Sequence, residues 1–343
     1  AGRCDMMGGH AHADRSEHRP VTADQAGSRP SSLARAPALQ PGDRVAVLSV
    51  SSPADQAALE VGLDALRFAG LEPVVYPSAR DHGSLRSYLA GDDQMRAGDL
   101  RAALLDPEIR GVIFATGGSG AQRTLEVMNW DGIASVAPKV LAGYSDVTAI
   151  LEAAASILGW AALLSPMVTS GGTAGHYWFG SMLRALMHPE RATRITYPQA
   201  ATMVPGTAAG VTCGGNLAVL AASAGTPTSR PASGGILLVE DKGEEDYRLD
   251  RMLTQLRRSG YLDGVAGLIA GQFTNCAEPA RVGEILADRL GSLGVPMITG
   301  ANVGHGGYFQ TFPVGVAAEL DAGARSLRLL DPPLRPAGAA GGG

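Results

Sequence analysis

The stretch Gly111-Val112-Ile113-Phe114-Ala115-Thr116-Gly117-Gly118-Ser119-Gly120-Ala121-Gln122-Arg123 decides how this chain is read. Its first five residues form an apolar run of β-strand character. A glycine-rich loop follows, and a helical pattern begins at about Gln122. Strand, tight glycine loop and helix in that order are the repeating unit of an α/β sheet. Such a turn can also hold a nucleophile on a sharp bend, with backbone N–H groups close by for an oxyanion. A phosphate-binding loop is the rival reading, but the loop carries no lysine and no Gly-Lys-Ser/Thr. A plain tight turn remains open on the loop alone.

Working outward, the same alternation recurs on both sides. Arg44 to Val50 is an apolar strand behind the turn Pro41-Gly42-Asp43. Residues 54–69 place Ala58, Leu59, Leu63, Leu66 and Phe68 at helical spacing, and Gly70 stops the helix. Strands are expected at Glu72 to Tyr76 and Lys139 to Gly143, and helices at 92–105 and 146–158. Strands alternating with helices predict a parallel sheet with helices on both faces. In the second half, strands are expected at 235–239, 266–271, 296–299 and 325–330. Helices are expected near 177–187, 214–224, 247–259 and 280–293. This half is mixed α/β with a more irregular sheet.

With 343 residues, the chain exceeds the size at which a single core usually stops growing, about 250–300 residues. Two domains are therefore expected. The divisions are 1–38, a disordered head; 39–168, the N-terminal α/β domain; 169–207, a connection; 208–335, the C-terminal domain; and 336–343, a disordered tail. Hydrophobic residues make up 45% and charged ones 18%, which describes a soluble globular chain, and the formal net charge is −5. With no basic block, nucleic acid and anionic membrane surfaces are poor partners. No apolar run reaches the roughly 18–20 residues of a membrane span, and the head lacks the apolar core of a signal peptide. The three cysteines, Cys4, Cys213 and Cys276, have no metal-ligand spacing and cannot all pair, and Cys213 and Cys276 read as buried free thiols. No metal and no cofactor are expected.

Three further segments could carry chemistry. Ile236-Leu237-Leu238-Val239 ends in Glu240 and Asp241, which presents carboxylates at a strand end. His305 sits among Gly304, Gly306 and Gly307, where a core histidine is out of place. In Gly143-Tyr144-Ser145-Asp146, the serine reads as a helix N-cap and the aspartate as a partner of the helix dipole. Arg248 could bind a carboxylate, although pairing with the nearby acids is equally natural.

Taken in order, these segments resemble the LD-carboxypeptidase family of serine peptidases, which includes the microcin C self-immunity proteins. The likeness runs over about residues 38–335. Its elements are Pro41-Gly42-Asp43, the glycine loop 117–123, Gly143 to Thr148, Gly214 to Leu217 with Gly225-Thr226-Pro227, Glu240-Asp241 with Tyr247 to Arg251, Gly304-His305-Gly306, and Thr311 to Gly315. The resemblance implies an N-terminal domain like that of glutamine amidotransferases. It also implies a C-terminal domain around a small β-barrel-like sheet, a site between the two, a metal-free Ser-Glu-His triad and a homodimer.

Glu240 and His305 match the family acid and base. The family glycine elbow reads Gly-Gly-Tyr-Gly-Ser-x-Arg, so its serine position falls on Ala121, and Ser119, the nearest hydroxyl, is the candidate catalytic nucleophile. Gly118, Ser145 and Arg248 are the expected oxyanion and substrate contacts. The implied activity is hydrolysis of the amide before a C-terminal D-amino acid in a small muropeptide-like substrate, in cytoplasmic cell-wall recycling. Ala121 keeps two alternatives open: a peptide-binding homologue without activity, and a replacement made to trap substrate. Immunity-type hydrolysis of a peptidyl-nucleotide is a further alternative.

Overall fold

The computed structural model describes residues 30–83, 86–170 and 177–337. The first sheet has six strands in the order β12-β5-β4-β3-β1-β2. They are β1 (Arg44–Leu48), β2 (Glu72–Val75), β3 (Ile109–Phe114), β4 (Val140–Gly143), β5 (Ala162–Leu164) and β12 (Phe312–Val314). The first five are parallel, and β12 joins antiparallel to β5. The expected parallel sheet is present, with one strand lent by the far end of the chain. All four expected strands lie in it.

Helix α1 (Gln56–Phe68) buries Leu59, Leu63 and Leu66, one helical stripe, and Asp55 caps it by accepting the Ala58 N–H at 2.8 Å. Phe68, assigned to that stripe above, is 95% exposed. Two short or polar helices follow, α2 (Pro77–Arg80) and α3 (Asp93–Leu105). Asp92 caps α3 through the Met95 N–H. Helix α4 (Ala121–Glu126) follows the glycine loop, and α5 (Thr148–Ala153) follows β4.

The second sheet has eight strands in the order β6-β14-β13-β8-β9-β10-β11-β7. Its parallel centre is β8 (Thr207–Asn216), β9 (Gly235–Lys242), β10 (Gly267–Thr274) and β11 (Met297–Thr299). Antiparallel strands flank it: β7 (Ala201–Val204) on one side, and β13 (Ala317–Asp321), β14 (Ser326–Leu329) and β6 (Arg194–Thr196) on the other. Among the described residues, the α-helices of this half are α6 (Tyr177–Met187), α7 (Leu217–Ser223), α8 (Asp246–Arg258) and α9 (Pro279–Arg289).

Two divisions read from the sequence are corrected. The stretch 169–207 is more than a connection, because β6 and β7 are the two edges of the second sheet. The head also ends earlier than residue 38. Residues 1–29 lie outside the described residues, but 30–38 are a strap with Ala36 and Ala38 buried. Its backbone bonds reach Gly315, Gly159 and Arg335. A segment with few large side chains is held here by main-chain pairing, which composition does not register.

The two sheets share one apolar cluster, with Phe114, Leu141 and Ile150 from the first half and Ile236, Leu238 and Ile298 from the second. Among the described residues, no helix is long and apolar enough to cross a membrane.

A buried carboxyl lies where α5 meets the second half. Glu152 is 4% exposed and accepts the Tyr261 hydroxyl at 2.6 Å. Burial pushes its pKa up to about 7, against the Tyr261 hydrogen bond and the Arg230 charge. The fold therefore favours the protonated acid. This group's contribution to stability is complete below the unfolded carboxyl pKa, falls as pH rises toward about 7, and is lost above that. Glu152→Gln is expected to gain about 2 kcal/mol on wild type between pH 5 and pH 8. Urea unfolding of both proteins at the two pH values measures it. Parallel pH profiles would refute the assignment.

Candidate active site

Loops from the carboxyl ends of both sheets build the site. In the first sheet, β1 leads to its neighbour on one side, β2, while β3 leads to β4 on the other. The reversal opens a crevice beyond the carboxyl ends of β1 and β3, the usual place for a site in an open α/β sheet. The loops there carry Ser51 and Ser52 after β1, Gly117–Ala121 after β3 and Ser145–Asp146 after β4. In the second sheet, Asn216 at the end of β8 pairs in register with Glu240 on β9. The two sets meet where the Asn216 N–H donates to Thr148 Oγ1 at 3.1 Å.

Ser145 is the residue the structure brings to His305. The His305 Nε2–Ser145 Oγ separation is 3.0 Å, and His305 Nδ1 lies 2.7 Å from Glu240 Oε2. A carboxylate only accepts, so Nδ1 carries the proton and Nε2 is left to accept the Ser145 hydroxyl. Glu240 has no exposed surface, His305 keeps 11% of its side chain exposed, and Ser145 is half-buried. Asn216 Nδ2 donates to Glu240 Oε1 at 3.3 Å and to Asp241 Oδ1 at 3.0 Å. Gly304 is needed beside this carboxylate: its φ is +128°, and a Cβ there would fall 2.7 Å from Glu240 Oε2. The Tyr144 ring leans on both His305 and Phe309, each with centroids 4.9 Å apart.

Ser145 has φ +61°, an uncommon backbone state for a non-glycine residue. It sits on the turn between β4 and a helix, the geometry of a nucleophile elbow. The N-cap reading of Ser145 is therefore corrected. The residue is the first of a short helical turn whose cap position is Tyr144, and its hydroxyl is hydrogen-bonded to His305. A signal was available in Gly143-Tyr144-Ser145, a Gly-x-Ser between a buried strand and a helix. Here it lacks the second glycine, because Val147 stands at that place.

Ser119 and Ala121 are corrected with it. Ser119 is exposed on the rim, its N–H donates to Ser52 Oγ at 3.0 Å, and among the described residues its hydroxyl has no bond to His305. Ala121 has no exposed surface and its methyl group belongs to the apolar core, so that position faces away from solvent. The glycine loop instead lies against the serine: a Cβ at Gly117 would be 3.1 Å from that of Ser145.

A cavity of about 460 Å³ joins these parts, with Gly118, Ser119, Ser145, Asn216, Lys242 and His305 among its lining residues. Arg248 is not in that lining. Its side chain is 55% exposed and pairs with Glu244 at 3.6 Å. Arg123 lines the cavity but is held by both carboxylate oxygens of Asp93. The Arg123 hydrogen bond in turn holds the Asp93 carboxyl below its ordinary range. Two neighbours of the site are shifted by burial: Asp241, pushed up to about 6, and Tyr144, pushed up to about 12.

A buried acid, a largely buried imidazole and a serine on a strained turn, aligned beside a cavity, define a serine-hydrolase type of site on an α/β fold. Comparison with known proteins agrees and is more specific. Residues 45–165 match the LD-carboxypeptidase N-terminal domain, and residues 209–320 match the LD-carboxypeptidase C-terminal domain. A Streptomyces coelicolor protein named as a carboxypeptidase is 45% identical over 303 residues, 88% of this chain and 98% of its own length. The murein tetrapeptide carboxypeptidase of Pseudomonas aeruginosa is 29% identical over 82% of this chain and 94% of its own. The solved structure of a microcin C7 self-immunity protein with aspartyl sulfamoyl adenosine superposes with a TM-score of 0.77. It covers 88% of this chain and 99% of its own, at 21% identity. The chain belongs to the LD-carboxypeptidase family.

Proposed function

We propose that this protein is a serine LD-carboxypeptidase that removes a C-terminal D-amino acid from a small muropeptide, with Ser145 as nucleophile, His305 as general base and Glu240 as the orienting acid. The observation that carries the reading is the Ser145–His305–Glu240 relay, with both hydrogen bonds at or below 3.0 Å. His305 Nε2 takes the Ser145 proton as Oγ attacks the amide carbonyl, then delivers it to the leaving D-amino acid. Glu240 holds the proton on Nδ1 and stabilises the imidazolium while it exists. The N–H groups of Gly118 and of Asp146, the residue after the nucleophile, would receive the oxyanion. Water then repeats the cycle on the acyl-enzyme. The similarity to a murein tetrapeptide carboxypeptidase supports the choice of substrate.

The test is release of free D-alanine from an L,D-linked muropeptide tetrapeptide, followed by mass spectrometry, with the L-alanine-terminated peptide as control. Turnover of the first and not the second is expected. No release from either would overturn the proposed activity.

A further inference from the structure

Asp146 follows the serine in sequence, yet its carboxylate turns away from the relay. Its Oδ2 accepts the Ser51 hydroxyl at 2.6 Å and the Ala121 N–H at 2.8 Å. One oxygen thus joins three loops, those after β1, β3 and β4. The bond to Ala121 fills a real need. That residue opens α4, and the N-cap position is Gly120, which has no side chain to offer. The cap is supplied from another strand's loop instead.

The glycine loop has further contacts to the segment after β1, where the Ser52 N–H donates to the Gly117 carbonyl at 3.1 Å. The Ser119 N–H donates to Ser52 Oγ, and that hydroxyl donates to the Tyr88 carbonyl at 2.8 Å. Behind them lies Arg96, with no exposed surface. Its guanidinium donates to Thr124 Oγ1 at 3.0 Å and to the Gly91 carbonyl at 2.9 Å, and it pairs with Asp93. Thr124 Oγ1 in turn donates to the Val50 carbonyl at 2.8 Å. Burial raises the pKa of Asp146, and the Ser51 hydroxyl, the Ala121 N–H and the Arg96 charge oppose that shift, in that order. Asp146 still lines the cavity.

We infer that Asp146 is a positioning residue, clamping the glycine loop 117–121 against the Ser145 turn so that the oxyanion donors stay fixed relative to the nucleophile. The inference rests on the reading of Ser145 as nucleophile for its catalytic consequence, but not for the clamp itself. Oxyanion stabilisation depends on donors held in place before reaction, and a displacement of under 1 Å is enough to weaken it. Release of the clamp therefore acts on the chemical step and leaves ground-state binding largely intact. Because a single oxygen takes both bonds, an asparagine amide oxygen can replace it.

The experiment uses the full chain with Asp146→Ala, Asp146→Asn and Ser51→Ala. Hydrogen exchange is followed on peptides covering residues 117–121, and D-alanine release on the tetrapeptide. Asp146→Ala is expected to speed exchange in the loop about tenfold or more while β1 and β3 keep their protection. It is expected to lower kcat about 100-fold with KM within about threefold, Asn restoring activity to within about fivefold of wild type and Ser51→Ala falling between. Wild-type exchange in Asp146→Ala, or equal losses in the Ala and Asn variants, would overturn the clamp. A chain that releases no D-alanine at all would refute the proposed activity, and the exchange data would still decide the clamp. Should Asp146→Ala not fold, Ser51→Ala carries the test, and wild-type exchange and kcat in that variant reject the clamp.

Discussion

Ser145→Ala is expected to lower D-alanine release by about 10⁴-fold or more with KM little changed, which corresponds to about 5.5 kcal/mol of transition-state stabilisation. The loss is large because the methyl group removes the attacking atom while Glu240, His305 and the oxyanion donors stay in place. Those groups support only the slow background reaction of water. The same assay separates Ser145 from the two loop positions. Ser119→Ala is expected to stay within about threefold of wild type, since the Ser119 contact to the loop is made by its backbone N–H and not by its hydroxyl. Ala121→Ser is expected to bring no gain in turnover. It places a hydroxyl in an apolar site with no exposed surface, at a cost of about 1–3 kcal/mol in stability. Steady-state kinetics on the four proteins, with circular dichroism to confirm folding, gives the answer. A Ser145→Ala protein that still turns over, or a Ser119→Ala protein that does not, removes Ser145 from the role of nucleophile.

The parts of the site that were legible in the sequence are those whose local pattern has one physical meaning. Glu240 ends a run of apolar residues, so a buried strand presenting an acid was readable, and it lies with no exposed surface against His305. His305 stood out because three glycines around it leave no core for it to belong to. Ser145 is harder to read because its local pattern has two meanings. Ser-Asp before a helix satisfies a capping rule as well as an elbow, and only φ +61° and the His305 contact separate them. The glycine loop was legible as a turn beside the site, but which residue on it faces the cavity depends on the tertiary fold.

The strands that escaped notice share a cause. β8 reads Thr207-Ala208-Ala209-Gly210-Val211-Thr212-Cys213-Gly214-Gly215-Asn216, with too few large apolar residues to signal a strand, and its end reads as the start of a helix. Yet it is central, and small residues are what its packing demands: a Cβ at Gly214 would fall 2.0 Å from the Leu238 carbonyl oxygen. The edge strands β6, β7 and β12 are only three or four residues long. Their partners are distant in sequence, so nothing local marks them.

Glu240→Gln should cost about 10³–10⁴-fold in kcat without unfolding the protein, and the argument turns on a single proton. Glu240 Oε2 accepts from His305 Nδ1, while Oε1 accepts from Asn216 Nδ2. A glutamine matches the shape but offers one acceptor and one donor. If its oxygen faces His305, its NH₂ meets the Asn216 NH₂. If it turns over to satisfy Asn216, its NH₂ faces Nδ1 and favours the tautomer with the proton on Nε2. That tautomer cannot accept the Ser145 hydroxyl, and no negative charge remains to balance the imidazolium of the transition state. In other triads the corresponding acid-to-amide change costs about 10⁴ in kcat. Stability should move the other way or not at all, because Glu240 has no exposed surface and the amide relieves the burial of a charge. KM is expected to stay within about threefold, since Glu240 is not among the cavity-lining residues. An unfolding midpoint equal to or above that of wild type, together with a collapsed kcat, identifies Glu240 as the orienting acid. Near-wild-type kcat would mean that His305 keeps its working tautomer without the carboxylate, and Glu240 would then be a structural residue only.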